Sequence, residues 1–342
     1  MTALPSESRL SLAQPRVPVW VINLALTALL AALWPIDRLM AEYMDPYFLR
    51  ILVLIGINVI LAVSLNLING ITGQFSLGHA GFMAIGAYTT GTIMHYWRPE
   101  GAMIPVAIVV LLILGGVFAS AAGLVIGIPT LRLRGDYLAI ATLGFGEIIY
   151  TLIINTEYIG PLRIGGASGL HGIPIVANFF WTYAGVVVCV VCVWRIAYSA
   201  KGMAFRAVRE DEVAAAAMGI DTTYYKVSAF VIGAFFSGVA GGLFATYQGN
   251  LDPAGFRFMR SIEIVVMVVL GGQGSITGSI LAAAILTYLP EQLRFLSGVW
   301  RMIFYSILLI GMMLLRPGGL LGSRELWWTR RRIEPPGDAV AS

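Results

Sequence analysis

Lysine, cysteine and histidine are scarce in this chain: its 342 residues include two cysteines and three histidines, and only Lys201 and Lys226 are lysines. The sequence therefore lacks a G-x-x-x-x-G-K-[ST] phosphate loop, and if ATP drives this protein we expect another subunit to hydrolyse it. The histidines, which are His79, His95 and His171, have no metal-ligand spacing to another His, Cys or carboxylate. We expect no catalytic constellation and no metal site in this chain.

The cysteines, Cys189 and Cys192, form a C-x-x-C within one Val-rich apolar run. Such a pair can be redox-active or bind a metal, but here there is no second pair and no neighbouring His or Asp. The pattern favours buried structural thiols.

Charge is also sparse, since 12% of the residues are charged and 58% are hydrophobic, whereas soluble domains have about 25% charged residues. The mean hydropathy is +0.83. This composition predicts an all-α, polytopic helical bundle embedded in a lipid bilayer. The net charge of +4 does not indicate nucleic-acid binding, because the basic residues sit at loops and tails, as the positive-inside rule expects.

Apolar runs approaching or exceeding the roughly 20 residues that cross a bilayer recur along the chain. We predict eight full spans and one dipping hairpin at 262–289, which gives about eight to ten transmembrane helices. The predicted spans are 17–34, 51–68, 82–97, 104–128, 137–155, 179–197, 227–247 and 299–315. The transmembrane domain is predicted to occupy 17–316, between cytoplasmic tails at 1–16 and 317–342.

The basic residues predict the orientation of this bundle. Most of them lie in the tails and in the segments 129–136 and 195–226, which the positive-inside rule places in the cytoplasm. Arg257 and Arg260 are assigned to a loop on the opposite side, and Glu263 is expected close to a membrane edge.

Two glycine-rich breaks share a G-Q-x-S pattern, one at 73–76 and the other at 272–275. Transporters often place substrate pathways at paired broken helices in corresponding halves of the chain, so these breaks are candidate pathway segments. The alternative is that the small residues only allow tight helix packing, and the sequence does not decide between the two. The candidate pathway residues are Gln74, Ser76, Gly78, His79, Glu147, Gly272, Gln273 and Ser275.

Glu147 is in the middle of a predicted span, within LGFGEIIY. A carboxylate inside the membrane is costly and marks function by default. A structural hydrogen bond to a neighbouring helix or backbone is the competing interpretation, and both stay open.

The segment 201–221 is the longest charged interruption between apolar runs. Asp211 can cap a short helix from Glu212 to Met218, and Gly219 stands where a left-handed C-cap residue is expected. Four alanines lie between these caps, and their small side chains let another surface approach closely. We predict a short helix outside the membrane that docks onto a partner.

Five stretches of this sequence carry a family resemblance: 58–88, 131–149, 165–174, 204–220 and 269–284. They include NLINGITGQFSLGHAG, LRGDYLAIATLGFGEII and VLGGQGSITGS. With these stretches the chain resembles the inner-membrane permease subunits of branched-chain amino-acid ABC importers, of the Liv M type.

The resemblance implies several partners. Two similar permeases pair in the bacterial inner membrane, two cytoplasmic ATPase subunits bind ATP and Mg²⁺, and a periplasmic binding protein delivers the amino acid. The permease itself holds no cofactor, and its coupling helix contacts an ATPase subunit. The matching coupling residues are Arg206, Arg209, Glu210, Asp211, Glu212, Ala214, Ala215 and Gly219, with Val213 standing between the acid and the alanines of the family's E-A-A…G pattern.

Two other classes of function are weighed. An ion-coupled secondary transporter would use Glu147 as its proton or cation site. A membrane-embedded enzyme would need a metal or nucleophile cluster, which this sequence lacks. The substrate also stays open, since related permeases handle leucine, isoleucine and valine but also other amino acids, amides, urea or aromatic acids. Whether the permease pair is homomeric or heteromeric is not decided by the sequence.

Overall fold

The structure is a computed structural model that describes residues 19–130 and 136–295, together with residues 306–307, 310–311, 316, 318–322 and 325. Most of the predicted last span, 299–315, and most of both tails lie outside the described residues.

The described part of the chain is predominantly α-helical, as the composition predicts. Five of its helical segments are long and apolar enough to cross a membrane. They correspond to α2 with the turn after it, α4, α5, α6 and α9. The helices are α1 (Val19–Tyr43), α2 (Pro46–Asn66), α3 (His79–Trp97), α4 (Ile104–Thr130), α5 (Asp136–Asn155), α6 (Phe179–Ala197), α7 (Ala200–Glu210), α8 (Glu212–Ala217), α9 (Thr222–Gln248), α10 (Phe258–Gly271) and α11 (Ile276–Gln292).

The predicted spans 17–34 and 51–68 leave a loop at 35–50, and this is wrong, because α1 continues through Pro35 to Tyr43 and α2 begins at Pro46. The second half of α1 is held by tertiary contacts that the apolar pattern does not contain. Asp37 accepts hydrogen bonds from the Asn178 side chain at 2.8 Å and from the Phe180 backbone N–H at 3.2 Å. These bonds fix α1 to the start of α6.

The centre of the bundle is built from α3, α4 and α9, which approach one another through small residues. A Cβ atom at Gly238 of α9 would lie 2.7 Å from the Gly115 carbonyl oxygen of α4. A Cβ at Gly242 would lie 2.7 Å from Thr90 Oγ1 of α3. The G-x-x-x-G motif of α9 therefore provides the close contact for which such motifs are suited.

The segment 156–178, which the sequence predicts as a loop, contains short strands. The strands β1 (Tyr158–Ile159) and β2 (Leu162–Arg163) form an antiparallel hairpin. The strand β3 (Leu170–His171) pairs with β4 (Asn250–Leu251), which directly follows α9. The second ladder ties the long loop to the end of α9.

The predicted hairpin at 262–289 is confirmed as two helices, α10 and α11, that meet at a glycine-containing turn. The 14 residues of α10 reach about 21 Å at 1.5 Å per residue, which is less than a bilayer core of about 30 Å. A helix of this length does not cross the membrane alone. The first break is similar in outline: α2 runs into a π-helical turn at Leu67–Ile71, and α3 begins only at His79.

Candidate functional site

The charged segment after α6 folds as two short helices, α7 and α8, of which the sequence predicts only α8. Asp211 Oδ1 accepts hydrogen bonds from the backbone N–H groups of Val213 and Ala214, at 2.8 and 3.0 Å. Gly219 has a φ of +84°, and the following Ile220 N–H bonds to the Ala215 carbonyl at 3.1 Å. This is the hydrogen-bond pattern of a left-handed helix end, so both predicted caps are confirmed.

Three of the predicted coupling residues face the bundle. The Arg206 guanidinium donates to the Ala197 carbonyl at 2.8 Å, Glu212 forms an ion pair with Lys226 of α9 at 2.6 Å, and Ala215 is buried. These residues hold α7 and α8 in place, so little of their surface is available to a partner.

The outer face of the segment is formed by other residues. Glu210, Asp211, Ala214 and Gly219 are exposed, as a docking surface requires. Met218 extends this face and is 83% exposed, but the sequence reasoning assigned it no role. A methionine directly before the C-cap glycine was the available signal, because methionine adapts well to interfaces.

Arg209 lies where α7 meets both glycine breaks. A Cβ atom at Gly73 would stand 2.8 Å from Arg209 Cγ, and one at Gly274 would stand 2.9 Å from Arg209 Nη1. The Arg209 side chain thus contacts both breaks and is itself exposed. The structure brings the predicted coupling segment and the predicted pathway segments into direct contact.

The two breaks also contact each other. Asn66, fully buried at the end of α2, accepts a hydrogen bond from the Gly274 N–H at 2.8 Å and donates one to the Ser275 carbonyl at 2.9 Å. Gly70 packs against both the Asn66 side chain and the Gly274 backbone nitrogen. Asn66 was missed by the sequence reasoning, although an asparagine inside an apolar span is a recognisable signal.

The first break encloses polar groups that have no visible partner. Gln74, Ser76 and His79 are buried, at 4%, 0% and 0% exposure. Among the described residues, no hydrogen-bond partner exists for Gln74 Nε2 and Oε1, Ser76 Oγ or His79 Nδ1. His79 Nε2 lies 2.9 Å from Ser64 Oγ, and Gly78 packs on the Thr142 carbonyl. Buried polar groups are ordinarily paired, so this break is an exception that needs a functional reason.

The second break is built differently. Gln273 is exposed, and Ser275 caps α11 by accepting from the Gly278 N–H at 3.1 Å. Residues 318–322 run across the break: the Leu320 N–H bonds to the Leu270 carbonyl at 2.7 Å. Gly272, with a φ of +108°, lies against the backbone of this same segment.

A carboxylate from the C-terminal segment completes the second break. Glu325 Oε1 accepts from the Ile276 N–H at 2.6 Å, and Oε2 accepts from the Thr277 N–H at 3.1 Å. An acid at the start of a helix satisfies free N–H groups and opposes the positive end of the helix dipole. The sequence reasoning treated this region only as a tail.

Glu147 is apart from both breaks. Its Oε1 accepts a hydrogen bond from the Phe258 N–H, at 3.1 Å, where α10 begins. This bond is the structural alternative considered for Glu147 from the sequence. Within the described residues no group of three or more His, Cys, Asp or Glu side chains could hold a metal ion.

The fold and this site define a multi-pass helical membrane protein in which a polar helix pair packs on two broken helices. The family described as "Branched-chain amino acid transport system / permease component" matches residues 47–314. The chain belongs to this family. No solved structure matches the chain.

Individual relatives agree with that assignment. The high-affinity branched-chain amino acid transport system permease protein LivM of Salmonella typhimurium is 37% identical over 299 residues, covering 78% of this chain and 68% of the relative. LivM of Escherichia coli K12 is 37% identical over 300 residues, with the same coverage. The permease protein LivH of Escherichia coli K12 is 25% identical over 286 residues, 78% of this chain and 92% of the relative.

Proposed function

We propose that this chain is the permease subunit of an ATP-driven importer of branched-chain amino acids in the bacterial inner membrane. In this proposal it pairs with a second, homologous permease and with two cytoplasmic ATPase subunits, which bind ATP and Mg²⁺. A periplasmic binding protein delivers the substrate. The observation that carries the proposal is the contact of Arg209 with both glycine breaks, in a chain of the branched-chain permease family.

The contact suggests how ATP hydrolysis acts on the membrane helices. The exposed face of α7 and α8 rests on an ATPase subunit, with Ala214 and Met218 as close-packing residues and Glu210 setting the register by charge. A movement of that subunit displaces α7, and Arg209 transmits the displacement to the breaks at 73–76 and 272–275. Packed helices with two discrete arrangements carry such a movement between sites.

The candidate pathway residues fall into two groups in this mechanism. Gln74, Ser76 and His79, together with Gly78, form a polar lining that becomes accessible when the first break moves. Gly272 and Ser275 form a hinge, and we assign no role in transport to the exposed side chain of Gln273. We assign Glu147 no proton-coupling role, since its carboxylate caps α10, and the family assignment favours ATP-driven import over an ion-coupled secondary transporter.

The proposal is tested by uptake into proteoliposomes that contain the complete complex and the binding protein. We expect leucine uptake to require ATP on the ATPase side and to continue in the presence of a protonophore. A complex without its ATPase subunits is the control and is expected to transport nothing. Uptake that stops with the protonophore while ATP remains high would favour the ion-coupled alternative and reject the proposal.

A further inference from the structure

A group of charged side chains at the start of α10 packs against interior turns of α2 and α5 rather than against their first or last turns. Arg260, in the first turn of α10, donates from Nη2 to Asn58 Oδ1 at 2.6 Å. Asn58 is 12 residues after Pro46 in the sequence, which is about 18 Å along α2. The expectation that Arg260 lies in a loop is therefore wrong, because Arg260 belongs to α10, whose start packs against an interior turn of α2. The prediction that Glu263 is close to a membrane edge stays a prediction.

Other contacts also place the start of α10 away from the ends of the long helices. Glu147, which bonds to the Phe258 N–H, is 11 residues into α5, or about 16 Å from its start. Its neighbour Gly146 packs on Gly81 of α3, where a Cβ would lie 3.2 Å from the Gly146 Cα. The start of α10 thus lies between the ends of α2 and α5 rather than beyond them.

The charges at the start of α10 are not buried within the chain. The side chain of Glu263 is 47% exposed and that of Arg260 is 22% exposed, and Arg257 is exposed too. Charged side chains within transmembrane segments face a water-filled cavity or the bundle interior and not lipid. By contrast, the exposed residues in the middle of α4, such as Val117 and Phe118, are apolar. The face around α10 is therefore the one that meets water.

We propose that Arg260 and Glu263 form a subsite for the charged ends of an amino-acid zwitterion on its way through the permease. The two side chains form an ion pair at 2.7 Å on adjacent turns of α10. Arg260 takes the α-carboxylate, for which its planar guanidinium is suited, and Glu263 takes the α-ammonium group. When the substrate binds, the ion pair between Arg260 and Glu263 is replaced by one ion pair from each of them to the substrate. Neither side chain then carries an unpaired charge at any stage.

The neighbouring groups fit this assignment. Asn58 holds Arg260 and itself donates to Thr287 Oγ1 at 2.7 Å, so α2 and α11 fix the guanidinium. Met259 and Phe258 are 57% and 41% exposed beside the pair and offer an apolar surface for an aliphatic side chain. Directly after Arg260, the buried Ser261 Oγ accepts from the Ala80 N–H at 3.0 Å, which connects the subsite to the first glycine break. The inference rests on the proposed function, because the family supplies the amino-acid substrate class.

The water-facing position is tested without any transport measurement. In the complete complex, with Cys189 and Cys192 replaced by serine, Met259→Cys is exposed to a membrane-impermeant, charged methanethiosulfonate reagent, with and without ATP. We expect labelling in at least one of these states. The matched control, Val117→Cys in the middle of α4, is expected to remain unlabelled in both. Absence of labelling of Met259→Cys in every state would overturn the inference.

The subsite itself is tested by leucine uptake in the same complex. We expect Glu263→Gln and Arg260→Gln to raise the KM for transport at least tenfold, and Glu263→Asp, which keeps the charge, to recover most of the loss. Copurification of all subunits shows that each variant assembles. If the wild-type complex transports leucine with ATP and both neutral variants keep its KM, the ion pair is structural only and the subsite is rejected. If the wild-type complex does not transport leucine, the proposed function fails and the labelling result still decides whether this face meets water.

Discussion

The two glycine breaks contain the same G-Q-x-S pattern but have opposite surroundings. In the first break, Gln74 and Ser76 are buried, and their side-chain polar atoms find no partner among the described residues. In the second break, Gln273 is exposed and Ser275 caps a helix. The same short sequence thus provides a buried polar lining without partners in one place and a helix-capping turn in the other.

The difference shows that the pattern specifies an interruption of the helix and not the role of the break. Both breaks begin with a glycine in the left-handed region, Gly73 at φ +70° and Gly272 at φ +108°, a conformation in which other residues are strained. What each side chain then meets depends on the neighbouring elements. Several helices enclose the first break, whereas the C-terminal segment at 318–322 closes the second.

The largest effect is expected where the two breaks touch. Gly70→Ala places a methyl group against the Asn66 side chain and the Gly274 backbone nitrogen, so α2 and the α10–α11 hairpin are forced apart. Overpacking of this kind, against backbone that cannot rotate away, costs about 3 kcal/mol or more. We expect a large fall in melting temperature of the detergent-purified permease.

Gly144→Ala is the control for this substitution. A Cβ atom at Gly144 of α5 would meet nothing within 4 Å, and alanine is the better helix former by about 1 kcal/mol. Its melting temperature is expected to stay equal or rise slightly. Equal melting temperatures for Gly70→Ala and Gly144→Ala would show that the breaks are not held against each other.

A smaller effect is expected to distinguish Gln74 from Gln273, and it has opposite signs for thermal stability and for transport. Gln74→Leu keeps the shape and removes two polar atoms without partners, each of which costs about 1–3 kcal/mol when buried. We expect the variant to be more stable to heat and yet to transport leucine several-fold more slowly. Gln273→Leu, at the exposed equivalent position, should leave both properties near wild type. Normal uptake by Gln74→Leu would mean that the first break is only a packing device.

The smallest effect is expected at the cap of the second break. Glu325→Ala removes the acceptor for the Ile276 and Thr277 N–H groups, which stabilise the helix start by about 1 kcal/mol. Hydrogen exchange at those two amides should accelerate about fivefold, because 1 kcal/mol corresponds to a factor of about five. The Ala80 amide at the start of α3 should exchange as in wild type. Equal acceleration at both helix starts would contradict the separate construction of the breaks.

Much of the architecture could be predicted from the sequence, because it depends on local signals. Apolar runs predicted the five described helices that are long and apolar enough to cross a membrane. Asp211 and Gly219 predicted the caps of α8, and the glycines predicted both breaks. The continuation of α1 beyond Pro35 could not be predicted, since it depends on the bonds of Asp37 to the start of α6.

The segments that form the site could be predicted from the sequence, but the contacts between those segments could not. The coupling segment and the breaks were each identified, but nothing local indicates that Arg209 contacts both breaks. The position of Arg260 was also hidden, because a basic residue in a polar stretch is ordinarily a loop residue. Only the packing of α10 against α2 reveals that it lies within the helical bundle.

The central claim is that α7 drives both breaks through Arg209, and the Arg209→Ala complex tests it most directly. Leucine uptake and ATP hydrolysis are measured together in proteoliposomes, with Lys201→Ala, an exposed change on the first turn of α7, as the control. We predict that Arg209→Ala hydrolyses ATP within about twofold of wild type while uptake falls at least tenfold, a loss of about 1.4 kcal/mol of coupling. Unchanged uptake per ATP hydrolysed would contradict the account.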